Sequence, residues 1–198
     1  MILRADDIPP TAWKNGGGAT RELLRLPAGT DDWRVRLSVA DIAADGPFSP
    51  FPGVTRHFAV LSGAGVQLAW PGGRRTEHRI ADPALVFDGA MAPECRLLGG
   101  PTRDLNLMVR DGVGAELRAA RWGAPWQAAG RTRAVFTRHG ALLHAGGAAA
   151  ITLPPLTLFW LDDAVPMTWT LSPIEPGDDG DPPPAWWIML DPTDVPRP

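Results

Sequence analysis

Turn-forming residues punctuate this chain so densely that little room is left for helix. Twenty-two glycines and 22 prolines are spread over 198 residues. Inside a helix each glycine costs about 1 kcal/mol and each proline about 3. Between them, apolar and polar residues alternate. Trp33-Arg34-Val35-Arg36-Leu37-Ser38-Val39 does so without a break, the period of a half-buried strand. Thr20 to Leu26 reads as a strand ended by Pro27. Phe58 to Leu61, Val66 to Trp70, Ala84 to Phe87 and Leu105 to Val109 are further short runs, bounded by turn signals such as Ser62-Gly63, Pro71-Gly72-Gly73 and Asp88-Gly89. No segment shows a 3.6-residue stripe, and Ala115 to Trp122 reads equally well as a short helix or a strand. The expected fold class is all-β.

A faint internal repeat refines that expectation. Phe58-Ala59-Val60-Leu61, Val66-Gln67-Leu68 and the proline-led Ala84-Leu85-Val86-Phe87-Asp88 form one unit. Ala134-Val135-Phe136, Ala141-Leu142-Leu143 and the proline-led Leu156 to Asp162 echo it. In both, strand, glycine turn and strand are followed by an apolar strand ending at Asp. Two copies suggest a duplicated barrel, joined near Asp111 to Gly114. The expected division is 1–112 and 113–198. The acidic, Pro-rich stretch at 177–184 reads as an exposed loop before a last strand, Trp186 to Leu190.

Charge and cysteine content remove several function classes. A net charge of −3 and a pI near 5.8 argue against a nucleic-acid partner. Cys95 is the sole cysteine, which excludes an intramolecular disulfide and a cysteine-built zinc site. Residues 1–10 lack the apolar core of a signal peptide. The most apolar stretch, Ala145 to Leu161, is broken by Pro154-Pro155 and shorter than the roughly 20 residues a membrane helix needs. A cytoplasmic chain without a membrane partner is expected. Of its 19 cationic residues only Lys14 is lysine, consistent with the coding bias of a GC-rich genome or with a need for ammonium chemistry.

Three segments carry candidate chemistry. In Trp13-Lys14-Asn15-Gly16-Gly17-Gly18-Ala19-Thr20-Arg21-Glu22, three glycines allow close backbone approach, flanked by a cation, an amide and an ion-capable pair. It is no P-loop, because the lysine precedes the glycines and no Gly-Lys-Ser/Thr follows. A merely polar hairpin turn is the plain alternative. In Asp45 to Arg56, three prolines stiffen a connection bearing Phe48, Ser49 and Arg56, suited to capturing a small carboxylate. Equally, Arg56 starts a strand and points to water. In Asp104-Leu105-Asn106-Leu107-Met108, alternation puts Asp104 and Asn106 on one face, either a barrel lumen or a solvated edge.

No metal is expected, because His57, His78, His139 and His144 show no ligand spacing, although His57 and His78 have the option of converging in space. Ser49 and Ser62 lack a nucleophile frame, and Cys95 reads as passive. Trp33, Trp160, Trp169, Trp186 and Trp187 read as core, Trp122 and Trp126 as part of a connection. Trp13 abuts Lys14-Asn15 and is placed to wall a pocket.

Taken together, Trp13 to Gly18 with Thr20-Arg21-Glu22, Trp33 to Ser38 with Ala40-Asp41-Ile42, Asp45 to Ser49 through Pro52-Gly53 with Arg56, Phe87-Asp88-Gly89 and Asp104 to Met108 resemble the HutD/Ves family in order and spacing. The resemblance implies a bicupin, two cupin-like jelly-roll barrels in one chain, with no cofactor and without the histidine metal set of many cupins. It also implies binding of a small pathway carboxylate, urocanate- or formylglutamate-like, that modulates histidine utilisation or a related stress response. The expected ligand-binding residues are Trp13, Lys14, Asn15, Glu22, Phe48, Ser49, Arg56, Phe87, Asp88, Asp104 and Asn106. Asp88 enters because the family often shows an acidic residue at that strand end. No catalytic residue is assigned. A metal-free isomerase or lyase using Lys14, or Glu22 with Asp104, as acid and base is the competing expectation. A small anionic ligand is the expected partner, and the sequence leaves monomer and dimer both open.

Overall fold

A computed structural model of the chain describes residues 1–127, 132–162, 167–175 and 183–191. Its strands run in chain order from β1 (Ile2–Arg4), β2 (Thr11–Ala12), β3 (Gly18–Leu26) and β4 (Val35–Ile42) to β5 (Gly46–Pro47) and β6 (Val54–Ser62). Then come β7 (Val66–Ala69), β8 (Arg75–His78), β9 (Leu85–Asp88), β10 (Glu94–Leu97) and β11 (Thr102–Arg110). The second half holds β12 (Gly114–Ala119), β13 (Trp126–Gln127), β14 (Thr132–Thr137), β15 (Ala141–Ala145), β16 (Ile151–Leu153), β17 (Thr157–Asp162), β18 (Thr168–Pro173) and β19 (Ala185–Asp191). Two single 3₁₀ turns, Ala5–Asp7 and Gly89–Met91, are the helical elements among the described residues. No helix there is long and apolar enough to cross a membrane. The ambiguous segment after Ala115 is strand, β12, paired along its length with β19. Of the acidic Pro-rich stretch, residues 177–182 lie outside the described residues.

The chain divides into two compact units, with Gly112 in one and Val113 in the other. The unit of residues 8–112 has a six-stranded sheet, β2-β3-β4-β11-β6-β9, and a four-stranded sheet, β5-β10-β7-β8. The other unit has a five-stranded sheet, β1-β17-β14-β19-β12, and a four-stranded sheet, β13-β18-β15-β16. The larger sheets correspond over four strands, β4-β11-β6-β9 answering to β12-β19-β14-β17, and the smaller ones throughout, β5-β10-β7-β8 answering to β13-β18-β15-β16. One boundary differs from expectation. Met1–Asp7 group with the second half, because Ile2, Leu3 and Arg4 pair with Phe159, Leu158 and Thr157 of β17.

Period-two alternation decides each core. In the second unit, Trp126, Val135, Leu143, Trp169, Leu171 and Trp187 are at most 2% exposed and pack together with Phe159. Trp126, expected in a loose connection, is instead stacked on Trp187 with ring centroids 4.9 Å apart and planes 2° from parallel. In the first unit, Phe48, Phe58, Val60, Val66, Leu68, Trp70, Phe87 and Cys95 form the dry part of the core. Its lumen is not filled to the end.

Candidate functional site

One end of the first barrel encloses a cavity of about 590 Å³, and cross-strand register explains its wall. On β11, Asn106 and Met108 face inward. Asn106 lies opposite Ser38 of β4 and Phe58 of β6; Met108 lies opposite Arg36 and Arg56. Beyond β4, Arg25 of β3 faces Arg36, and beyond β6, Phe87 of β9 faces Arg56. One row thus crosses five hydrogen-bonded strands: Arg25, Arg36, Met108, Arg56, Phe87.

The glycine-rich segment forms the β2–β3 hairpin rather than a phosphate cradle. Trp13 N–H donates to Gly18 O at 2.9 Å, and Gly16 turns the chain at φ +71°, a region glycine enters without strain. A Cβ on Gly18 would meet Asp41 O at 2.3 Å and the Trp13 ring at 3.0 Å. Only a glycine lets the indole lie against the hairpin. Trp13 Nε1 donates to Thr20 Oγ1 at 2.8 Å, which fixes the ring as a cavity wall, with Lys14 and Asn15 beside it. The proline-rich connection is pinned at both aromatics: Phe48 N–H donates to Pro93 O at 3.0 Å and Phe51 N–H to Gly89 O at 2.9 Å.

Arg56 is the deepest cation of the site. It is 7% exposed, donates from Nη2 to Asn106 Oδ1 at 2.9 Å, and lies 4.6 Å from the Phe48 ring and 5.1 Å from that of Phe87. No carboxylate among the described residues contacts it, and its Nε is buried without a partner. Burial, and then the charge of Arg36, lower its pKa to about 10, so it stays cationic at neutral pH.

Glu22 plays a different part. It accepts from Arg25 Nε and Nη2, both at 2.8 Å, and from Arg36 Nε at 2.7 Å. Burial alone would raise its pKa, but these hydrogen bonds outweigh burial and hold the carboxyl below the usual range. It therefore orients two arginines and stays ionised. Its sequence neighbour Arg21 does not pair with it. Arg21 and Arg103 both bind Asp41, because Arg21 lies on the other face of the strand.

Trp13, Lys14, Asn15, Glu22, Phe48, Ser49, Arg56 and Asn106 all line the cavity. Three expected residues do not. Phe87 lies behind Arg56 and packs edge-on against Trp70 at 5.1 Å. Asp88, the next residue of β9, points outward by strand alternation and accepts from Ala90 N–H at 2.9 Å, capping the turn Gly89–Met91. Asp104 is fully buried, with Oδ2 accepting from Thr102 Oγ1 at 2.8 Å and Oδ1 unpartnered. Burial, only partly offset by Thr102 and reinforced by Asp41, pushes its pKa up to about 8. The acid–base pair of Glu22 and Asp104 is therefore not assembled at the cavity wall.

His57 and His78 do not converge. His78 packs 5.8 Å from the Phe58 ring, on the inward face of β6, whereas His57 lies on the opposite face. Burial lowers His57 to about 4 and lowers His78 as well, the latter opposed by Asp82 and a backbone hydrogen bond at Phe58. Burial, and then the charges of Asp104 and Asp45, push the Cys95 thiol up to about 12. Among cavity residues not anticipated, Arg25, Arg36, Ser38 and Met108 matter most. For Arg36 and Ser38 the signal was the polar face of the Trp33–Val39 alternation, once register is known.

Two such sandwiches in tandem define a bicupin. A cupin barrel protein from Leptotrichia buccalis superposes with a TM-score of 0.55 over 96% of this chain and 94% of that one, at 8% identity, a likeness of fold alone. Within that class the chain belongs to the HutD family, whose sequence model matches residues 5–173. It is 43% identical over 109 residues to an uncharacterised 21.2 kDa protein in the hutC 3′ region of Pseudomonas putida, covering 54% of this chain and 57% of the relative. The chain thus spans little more than half the length of the curated relatives it matches. A conserved Pseudomonas aeruginosa PAO1 protein of unknown function, PA5104, superposes with a TM-score of 0.85 at 30% identity over 97% of this chain and 98% of that one. HutD from Pseudomonas fluorescens SBW25, in a formate condition, gives 0.81 at 28% identity over 96% and 97%.

Proposed function

We propose that this protein binds a small carboxylate of the urocanate or formylglutamate kind in the first barrel and, through it, modulates histidine utilisation or a related stress response. One observation carries the binding: Arg56, a buried guanidinium without a carboxylate partner, held by Asn106 between two aromatic rings at a cavity. A buried uncompensated charge is costly, and an incoming carboxylate offsets that cost through charge-assisted hydrogen bonds of about 1.5–3 kcal/mol each. Lys14, at the exposed rim, adds a second cation. Two such contacts with modest apolar burial give affinity on the order of micromolar. The link to histidine utilisation rests on the family and on the P. putida relative's place beside hutC.

Calorimetric titration of urocanate and of formylglutamate into wild type, Lys14→Ala and Arg56→Ala tests the binding. Micromolar heats in wild type, lost with Arg56→Ala and weakened with Lys14→Ala, are expected. Equal heats for all three proteins, or none in wild type, overturn it.

A further inference from the structure

We propose that the ligand of this cavity is a dianion with its two acidic groups on a short apolar linker, one group at Arg56 and Asn106 and the other at Arg36. The proposal rests on the carboxylate-binding reading above and deepens it. Four cationic side chains, Lys14, Arg25, Arg36 and Arg56, and a single carboxylate, Glu22, line the cavity. Arg25 is satisfied, because Glu22 takes its Nε and Nη2 and Asp31 lies 3.6 Å from its Nη1. Glu22 engages Arg36 through Nε, leaving the two Nη groups to the cavity. Lys14 and Arg56 have no acidic partner among the described residues. Glu22 is shared by Arg25 and Arg36, and the fully exposed Asp31 lies near Arg25 alone, so Arg36 is left only partly compensated beside the uncompensated Arg56.

Register spaces the two anchors. Arg36 and Arg56 flank Met108 on adjacent strands, which sets their backbones about 10 Å apart at two interstrand spacings. Side chains converging from that span reach both ends of a chain of a few carbons, with the apolar Met108 beneath the linker. The two guanidiniums feel one another, since the charge of Arg36 disfavours protonation of Arg56. A monoanion offsets Arg56 alone, whereas a dianion also completes the compensation of Arg36, which shares Glu22 with Arg25. Position 36 is then the specificity residue, the one that tells a diacid from a monoacid of equal length.

Glutarate and valerate have the same five-carbon chain and differ by one carboxylate, which makes them the probes. In calorimetry on the intact protein at fixed ionic strength, glutarate is expected to bind at least about tenfold tighter than valerate, the increment of one charge-assisted contact. Arg36→Gln should collapse that ratio towards one, and Arg36→Lys should restore part of it. Equal affinities in wild type, or a ratio untouched by Arg36→Gln, overturn the dianion proposal and leave carboxylate binding standing. If neither acid binds wild type, the carboxylate reading falls instead.

Discussion

The two barrels share one strand plan and fill it differently. Along β11 the inward residues are Asp104, Asn106 and Met108; at the matching places along β19 they are Ala185, Trp187 and Met189. β6 offers Arg56 and Phe58 where β14 offers Arg133 and Val135, and β4 offers Arg36 where β12 has Glu116. The consequence is visible in packing. Where Asn106 stands, the first barrel keeps a cavity. Where Trp187 stands, three indoles from both sheets close the lumen. The two frames share a strand plan, and side chains at a handful of register positions leave a cavity in one and close the lumen of the other.

Opening the solid barrel should have the largest effect. Trp187→Ala, at a residue 2% exposed, should cost about 3–5 kcal/mol in chemical denaturation without creating carboxylate binding in the new space. A cost under about 1 kcal/mol would contradict the filled lumen, and new binding there would show that space beside Arg133, at the place of Arg56, is enough to make a site.

Next in size is a pH effect that the second barrel, with alanine at the equivalent position, lacks. Folding raises Asp104 to about 8, so the folded protein retains a proton that the unfolded chain releases near pH 4. This group's contribution to stability therefore falls as pH rises from about 4 to about 8, by up to about 1.4 kcal/mol per unit. Between about pH 7.5 and 8, where His57 and His78 are neutral folded and an unfolded histidine is largely neutral, wild type should lose stability and Asp104→Asn should stay level. Parallel profiles would place the Asp104 proton elsewhere.

Replacing the acceptor that fixes Arg56 comes third. Asn106→Leu makes the first barrel more like the second and should weaken carboxylate binding by about tenfold or more, read by calorimetry. Unchanged affinity would show that Arg56 needs no anchor. The smallest change expected is from Thr20→Val, which removes the hydroxyl holding the Trp13 indole. It should cost about 1 kcal/mol of binding or less, and an effect beyond that of Asn106→Leu would reverse the ranking of floor and wall.

Much of this comparison was legible in the alternation. The paired runs Phe58–Leu61 and Ala134–Phe136, and Val66–Leu68 and Ala141–Leu143, fall on corresponding strands because period two and glycine turns are local properties. The cavity residues clustered at Trp13–Asn15 and Phe48–Ser49 were legible too, because hairpin and proline connections are written in consecutive residues. The row Arg25–Arg36–Met108 was not. Between Glu22 and Leu24 the pairing of β3 with β4 shifts, and this bulge turns Arg25 to the face of Glu22, which strict alternation assigns to Leu24. Nor does alternation alone distinguish the faces of β4, whose residues are buried on both. Asp88 failed for a simpler reason: a carboxylate before a turn is as good a cap as a ligand contact.

One feature of the chain path sets a schedule. Strand β1, Ile2–Arg4, hydrogen-bonds to β17 near residue 158, and Met1 N donates to Trp160 O at 2.9 Å. Its partner is synthesised some 150 residues later, many seconds behind at ordinary translation speeds. Until then that segment waits unpaired while its immediate successors are free to assemble, so the second barrel is completed by a strand that precedes the first barrel in the chain.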